Sequence, residues 1–248
     1  MKNRIVLAFL IAFLLTSQAR LFAQDLKEQS YKAYIASDLN QWKTIVENKT
    51  IRPEVGDNSE SFELALSHYG LVALSLYTGN DDLFDDYVPL THDLLDQLID
   101  EDEGWAEPLA VSSFIMGFQI SDSPMKGVYL GPKSLGRMSD ALELDDQSPV
   151  VMQLYAGSKY FAPKIFGGDV NEAIQNYLIA IDLFESTNRT DEWMYLDALA
   201  FLGKSYMRTG QTRKAIVVYQ KALAVEPEFN WVKMQLLPEA QQSISITE

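Results

Sequence analysis

Two histidines, His68 and His92, are the first side chains to consider as catalysts or metal ligands, because the chain contains no cysteine. Each lies in an apolar stretch with helical spacing, and neither has a second histidine four residues away, as a helical zinc site requires. The chain also has no P-loop, no dinucleotide-binding fingerprint and no Gly-x-Ser-x-Gly motif. We therefore predict core or edge histidines, no metal site, no cofactor and no enzymatic activity.

A long acidic stretch, residues 53–125, contains sixteen aspartates and glutamates and neither lysine nor arginine. Asp100 and Asp102 begin like a calcium-binding loop. However, Gly104 comes one place too early for an EF-hand, and Val111 stands where the bidentate acid is needed. Two interpretations stay open: a surface that docks a basic partner or weakly held divalent cations, or a solvated face that keeps the protein soluble.

The overall charge limits the classes of partner. Across the 248 residues, 35 acidic and 20 basic side chains give a formal net charge of −15 at pH 7. Nucleic acids and anionic membrane surfaces are bound through basic patches, so this charge argues against both. Hydrophobic residues make up 47% of the chain, which is enough for a sizeable buried core.

The N-terminal residues have the pattern of a secretory signal peptide. Lys2 and Arg4 precede an apolar run, Ile5 to Leu15, that is too short to span a bilayer. Ala19 and Ala23 both offer a small residue before a cleavage point, and we favour Ala23. A lipid anchor would need a cysteine, and no second long apolar stretch follows. We therefore expect a periplasmic or secreted protein without a transmembrane segment after signal removal.

The clearest helical unit runs from Leu196 to Phe229. Counted from Leu196, its small, aromatic and helix-ending positions are occupied by Leu202, Gly203, Tyr206, Ala215, Tyr219, Ala222 and Pro227. This pattern resembles a tetratricopeptide (TPR) repeat, in which two antiparallel helices cross closely and a proline ends the second helix. At Gly203 we expect alanine to be tolerated, and leucine to push the second helix away from Ala215.

A second unit of the same kind precedes this one and begins at Pro149. The turn between its helices has five extra residues, and Asp169, after two glycines, is predicted to cap the second helix. We expect Phe161 and Phe166 in this insert to fold back onto the helix pair. Residues 156–183 are also similar to exported bacterial TPR proteins, including the repeat-bearing component associated with TRAP-type transporters.

The N-terminal half is predicted to hold more degenerate helical pairs. One helix runs from Phe62 to Tyr77, Pro89 is predicted to start another, and Trp105 to Phe118 supplies a third. Residues 121–132 are rich in glycine and proline and are predicted to form a long loop.

The whole pattern predicts an all-α fold, an α-solenoid of antiparallel helix pairs in a TPR-like superhelix. We divide the chain into a signal peptide over residues 1–23, degenerate acidic TPR-like repeats over residues 24–133, and TPR repeats with a C-terminal capping helix over residues 134–248.

The resemblance implies a concave groove, lined by the first helix of each pair, that holds a protein or peptide partner. The candidate groove residues are Gln153, Tyr160, Asp197, Lys204, Met207 and Arg208. Lys204 and Arg208 lie one helical turn apart and suit an acidic side chain or a C-terminal carboxylate, although simple surface charge is an alternative. We predict a non-enzymatic scaffold for protein or peptide interactions in the bacterial cell envelope.

A second hypothesis is that the protein binds a small solute in support of transport. One basis is the similarity of residues 156–183 to the TPR component associated with TRAP-type transporters. The other is a group of aromatic residues that could line a pocket between repeats. These residues are Tyr155, Tyr160, Trp193 and Tyr195.

Overall fold

The computed structural model describes residues 23–49 and 58–247, and every regular element within these ranges is helical. The helices are α1 (residues 23–36), α2 (Leu39–Lys49), α3 (Asn58–Thr78), α4 (Asp81–Glu101), α5 (Ala106–Asp122), α6 (Gly127–Leu144), α7 (Pro149–Phe161), α8 (Val170–Ser186), α9 (Trp193–Arg208), α10 (Thr212–Val225) and α11 (Leu237–Thr247). Single turns of 3-10 helix at Pro124–Lys126 and Lys164–Phe166 precede α6 and α8, and a π-helical turn at Val232–Leu236 leads into α11.

Consecutive helices pack together as pairs, namely α3 with α4, α5 with α6, α7 with α8, and α9 with α10. The short turns between the partners make each pair an antiparallel hairpin, and the hairpins stack side by side. The predicted all-α solenoid of helix pairs is therefore confirmed. One hydrophobic core runs through all the described pairs. The predicted boundary between residues 133 and 134 lies inside α6.

Glycines allow the close crossing inside these pairs, but Gly203 is tighter than the sequence predicted. A Cβ added there would lie 2.6 Å from Cζ of Tyr219 and closer still to Cε1. Tyr219 is buried in the packed core, so even alanine requires this ring to shift, and the obstacle is the ring rather than Ala215. Between two neighbouring pairs, a Cβ at Gly157 of α7 would lie 2.7 Å from the Phe114 ring of α5.

Two prolines lie inside helices where the sequence predicted a helix start or a loop. Pro89 is in the middle of α4, which begins eight residues earlier where the Asn80 side chain accepts a hydrogen bond from the Leu83 amide at 3.2 Å. Pro132 lies in α6, so most of the predicted loop over 121–132 is helical. Each proline frees the carbonyl four residues before it, and both freed carbonyls belong to exposed residues that water can reach.

The insert between α7 and α8 has the predicted cap. The Asp169 carboxylate accepts hydrogen bonds from the amides of Asn171 at 2.8 Å and Glu172 at 3.3 Å. Phe161 packs against a neighbouring pair rather than onto α8, with its ring centroid 5.3 Å from that of Phe201 on α9, and its side chain is still 54% exposed. The expectation for Phe166 was wrong, since its side chain is 67% exposed on the 3-10 turn that carries it into solvent.

A cluster of charges joins the starting ends of several pairs. Arg189, in the turn before α9, forms ion pairs of 3.0 Å with Glu107 and 2.7 Å with Glu192. Lys27 of α1 reaches Glu192 at 3.3 Å. Glu63 of α3 faces the same cluster, and burial raises its pKa to about 7. The insertion before α9 thus supplies the arginine that connects α5 to α9.

Helix α1 closes the row of pairs by packing against the opposite end of the described chain. The Tyr34 ring centroid lies 5.1 Å from that of Trp193 and 5.2 Å from that of Phe229. The Asn230 amide donates to the Ala36 carbonyl at 3.3 Å, and Ser30 on α1 bonds Ser67 on α3 at 2.8 Å. The helices therefore surround a central concavity instead of leaving an open groove.

The predicted signal peptide, residues 1–23, lies outside the described residues except for Ala23. Within residues 23–49 and 58–247, none of the helices combines the length and the apolar composition needed to cross a membrane.

Candidate ligand-binding pocket

The central concavity contains a pocket of about 550 Å³. Twelve of its lining side chains are aromatic, and the first helices of the pairs, α1, α3, α5, α7 and α9, all contribute at least one. This is the face that the repeat pattern assigns to ligand binding. Pockets for small molecules have volumes of about 300–1,000 Å³ and are mostly apolar with a few polar groups, so this pocket has the size and character of one.

The aromatic wall is built around Trp193. Its ring stacks with Tyr69 at a centroid distance of 5.7 Å and meets the edge of Trp42 at 5.6 Å. Tyr69 also stacks with Phe118 at 5.6 Å, nearly parallel, and contacts Phe114 at 5.9 Å. Buried rings held by one another in this way keep fixed orientations, so the wall is pre-organised for a flat apolar surface.

A polar group lies at the base of the wall. The buried Asp197 carboxylate accepts a hydrogen bond of 2.8 Å from Tyr34 and one of 2.5 Å from the Gln153 side-chain amide. Burial raises the pKa of Asp197 to about 6, against the lowering effects of Tyr34, Lys204 and Gln153. Burial also holds the pKa of Tyr34 well above its ordinary value, so the phenol stays protonated and remains a donor.

Lys204 and Arg208 do not act as the joint clamp that their spacing suggested. Lys204 lines the pocket, where its Nζ lies 4.9 Å from the ring centroids of both Phe201 and Trp231. Arg208 instead donates to the Tyr160 carbonyl at 2.6 Å and stacks over the Tyr160 ring. The guanidinium is therefore engaged within the fold, and the ammonium alone faces the pocket.

The six candidate groove residues divide into two sets. Gln153, Asp197 and Lys204 lie together in the pocket. Tyr160 and Arg208 pair with each other near the ends of α7 and α9, and Met207 is half-buried against the core. The same geometry separates the aromatic residues proposed for solute binding. Of these, Trp193 lines the pocket, while Tyr155 bonds Glu172 and Tyr195 bonds Glu185.

Most of the aromatic wall was missed in the sequence, because it comes from the degenerate N-terminal half. Tyr34, Tyr69, Phe114 and Phe118 lie on α1, α3 and α5, where no strict repeat register marked the groove positions. The available signal was the i,i+4 spacing of Phe114 and Phe118, which places both rings on one face of a helix.

The histidines are not part of this site. His68 is buried beside Tyr87, and burial lowers its pKa to about 4. His92 bonds Gln119 at 2.9 Å. In the part of the chain that the structure describes, no group of three or more histidine, aspartate and glutamate side chains is arranged to hold a metal ion.

The fold and the pocket together define a TPR-like helical scaffold with an aromatic central cavity. No family model and no curated protein matches the chain. Several solved structures share the fold, a haemophore and a TPR protein among them. The HusA haemophore from Porphyromonas gingivalis has a TM-score of 0.58 and 14% identity over 75% of this chain and 94% of its own. A thermophilic TPR protein of Thermus thermophilus has a TM-score of 0.52 and 13% identity over 89% of this chain and 99% of its own. At these identities the likeness concerns the fold.

Proposed function

We propose that this protein is an exported, non-enzymatic binding protein that holds a flat, largely apolar small molecule in its aromatic pocket. The observation that carries this proposal is the pocket itself, with about 550 Å³ surrounded by twelve aromatic side chains. Stacked rings offer most of their contact area to a planar ligand, and their fixed orientations reduce the entropy lost on binding.

Closure of the helical row favours a small molecule over an extended peptide. Tyr34 bonds Asp197 on α9 and Asn230 bonds Ala36, so α1 closes one side of the concave face. A peptide bound along the first helices of a TPR array needs an open groove. The small-solute hypothesis therefore becomes the leading one for this cavity.

A tetrapyrrole is the ligand class that we propose to test first. HusA, which shares the fold, is described as a haemophore. A tetrapyrrole ring is planar and apolar on both faces, and its polar substituents lie at the rim. These properties match a pocket that combines an aromatic wall with a few polar side chains.

Tryptophan fluorescence gives a direct test, because three of the four tryptophans, Trp42, Trp193 and Trp231, line the pocket. We expect haem and metal-free protoporphyrin IX to quench the emission in a saturable way, with one ligand bound per chain. A linear, unsaturable loss of emission with both compounds would contradict the tetrapyrrole assignment. A screen of other planar aromatic compounds by thermal shift would then test the broader proposal.

A protein partner in the cell envelope is the second candidate. It is favoured by the insert between α7 and α8, where Ile165 is 84% and Phe166 is 67% exposed, next to the pocket residue Phe161. Neighbouring exposed apolar side chains are typical of interaction sites. A pull-down from envelope extract with the native protein and with an Ile165→Ser, Phe166→Ser variant tests this role. A partner that the native protein retains and the variant loses supports a protein-binding role for the insert.

A further inference from the structure

Three polar atoms of the pocket have no hydrogen-bond partner in the described part of the chain. They are the indole Nε1 atoms of Trp193 and Trp231 and the Oε1 atom of Gln153, and all three are buried. A buried donor without a partner costs free energy that a ligand acceptor would recover. The two indole N–H groups are therefore unsatisfied donors that belong to residues lining the pocket.

Lys204 adds a positive charge next to one of these donors. Lys204 is half-buried, its Nζ lies 4.9 Å from the Trp231 ring centroid, and no carboxylate of the described residues lies within 4.0 Å of this atom. Asp197 and Glu239 are the acids close enough to affect it electrostatically. Asp197 is already bonded to Tyr34 and Gln153. An unpaired ammonium in an aromatic setting is a ready partner for an anion.

We infer that the pocket is selective for ligands that carry an oxyanion, such as a carboxylate, and that Lys204 and the Trp231 indole N–H bind this group. The apolar body of the ligand then lies along the aromatic wall towards Trp193. This inference rests on the proposed function, because it assigns the polar end of the ligand in the same pocket.

The strong negative charge of the chain does not prevent this selectivity. The formal net charge is −15, but charges in solvent are screened over about 8 Å at physiological ionic strength. Lys204 acts on a bound oxyanion at contact distance and in a partly desolvated site, where electrostatic interactions are stronger. The distant acids instead slow the approach of an anion, an effect that added salt weakens.

Two fluorescent probes with the same fused-ring and anilino framework can separate the charge from the ring. 1-Anilinonaphthalene-8-sulfonate carries an oxyanion, and N-phenyl-1-naphthylamine lacks it. We expect Lys204→Met to weaken binding of the sulfonate about tenfold and to change binding of the neutral probe less than about twofold. Lys204→Arg should keep most of the affinity for the sulfonate. Trp231→Phe, which removes only the indole donor, should weaken sulfonate binding severalfold.

Lys214→Met is the matched control. This lysine also lies over an aromatic ring, 5.3 Å from the Tyr206 centroid, but outside the pocket. Its replacement should affect neither probe, and thermal melts should show that each variant is folded. An unchanged affinity of Lys204→Met for the sulfonate, or an equal loss for both probes, overturns the inference and leaves the pocket proposal standing. If neither probe binds the native protein, the inference and the proposed function both fail.

Discussion

Tyr34 donates a hydrogen bond of 2.8 Å to Asp197, a residue 163 positions later in the chain. The bond joins α1 to α9 at the base of the pocket, and Gln153 of α7 donates to the other carboxylate oxygen. One buried acid thus holds together three helices from distant parts of the sequence. Its protonation state is therefore connected with the stability of the closed arrangement.

The first prediction concerns Asp197→Asn and pH. The pKa of Asp197 is about 6 in the folded protein against 3.8 ordinarily, so between these values the folded state keeps a proton that the unfolded chain loses. The free-energy cost of burying the charged carboxylate is thus absent below about pH 4 and reaches its full value above about pH 6. Asparagine avoids it, and we expect the variant to be more stable at pH 7 by up to about 3 kcal/mol.

Urea unfolding of both proteins at pH 4, 5, 6 and 7 checks this prediction. Glu63, whose pKa is about 7, titrates in both proteins, so the difference between them isolates Asp197. The asparagine amide needs an acceptor, which the free Gln153 Oε1 supplies. A difference in stability that does not grow with pH would show that the carboxylate is not penalised by burial.

The second prediction concerns the crossing of α9 and α10. Gly203→Ala should destabilise the protein by about 1–3 kcal/mol, because the added Cβ overlaps the buried Tyr219 ring. Gly136→Ala in α6 is the control, since no atom lies within 4 Å of its added Cβ, and there alanine should stabilise by up to about 1 kcal/mol. Thermal melts of the two variants should therefore shift in opposite directions. Shifts of the same sign would mean that the Tyr219 ring yields easily.

The third prediction concerns the charge cluster at the starting ends of the pairs. Arg189→Met removes the ion-pair partner of Glu107 and leaves Glu192 with Lys27 alone, at sites where the two acidic side chains are 12% and 10% exposed. We expect a loss of about 3 kcal/mol in the free energy of unfolding, because the nearly buried Glu107 carboxylate loses its counter-ion and Glu192 loses one of two. Lys32→Met, which breaks a pair with Glu28 on the solvent face of α1, should cost less than about 1 kcal/mol. The free energy of unfolding of both variants is measured by chemical denaturation. An equal decrease for Arg189→Met and Lys32→Met would show that the cluster contributes no more than an exposed ion pair.

The fourth prediction tests where the ligand binds. Ala73 lies on α3 in the pocket wall, and Ala73→Phe places a ring in the space that a ligand would occupy. We expect binding of any pocket ligand to weaken more than about tenfold, with unchanged helical content by circular dichroism. Val217→Phe on α10, at a side chain that is 64% exposed, is the size-matched control and should bind normally. Normal binding by Ala73→Phe would place the ligand elsewhere.

The sequence predicted the C-terminal repeats well because local patterns determine them. The small residues, tyrosines and proline between Leu196 and Phe229 specify two helices and their crossing, and the structure has both. The Asp169 cap was predictable for the same reason, since its partners are two and three residues away. Helical periodicity also located α3, although it missed the length of α4 around Pro89.

The pocket could not be predicted in the same way, because it depends on which helices meet. Trp193 was a candidate from its position before the last repeat, but its ring partners Tyr34 and Tyr69 lie more than a hundred residues earlier. No local pattern states that α1 packs against α9. Lys204 was identified from its position in the repeat. The bond from Arg208 to Tyr160 could not be predicted, because it depends on where the end of α7 lies in the folded protein.

The contact between α1 and the C-terminal helices also affects the order in which the molecule assembles. An open array of hairpins folds through contacts between neighbours, but here Tyr31 meets Glu226 across 195 positions. Bringing such distant segments together has a large entropic cost, so these contacts should form late in folding. Until α1 docks, the aromatic wall around Trp193 is open to solvent and to other chains. A ligand that enters before docking would bridge the two ends and speed the final step.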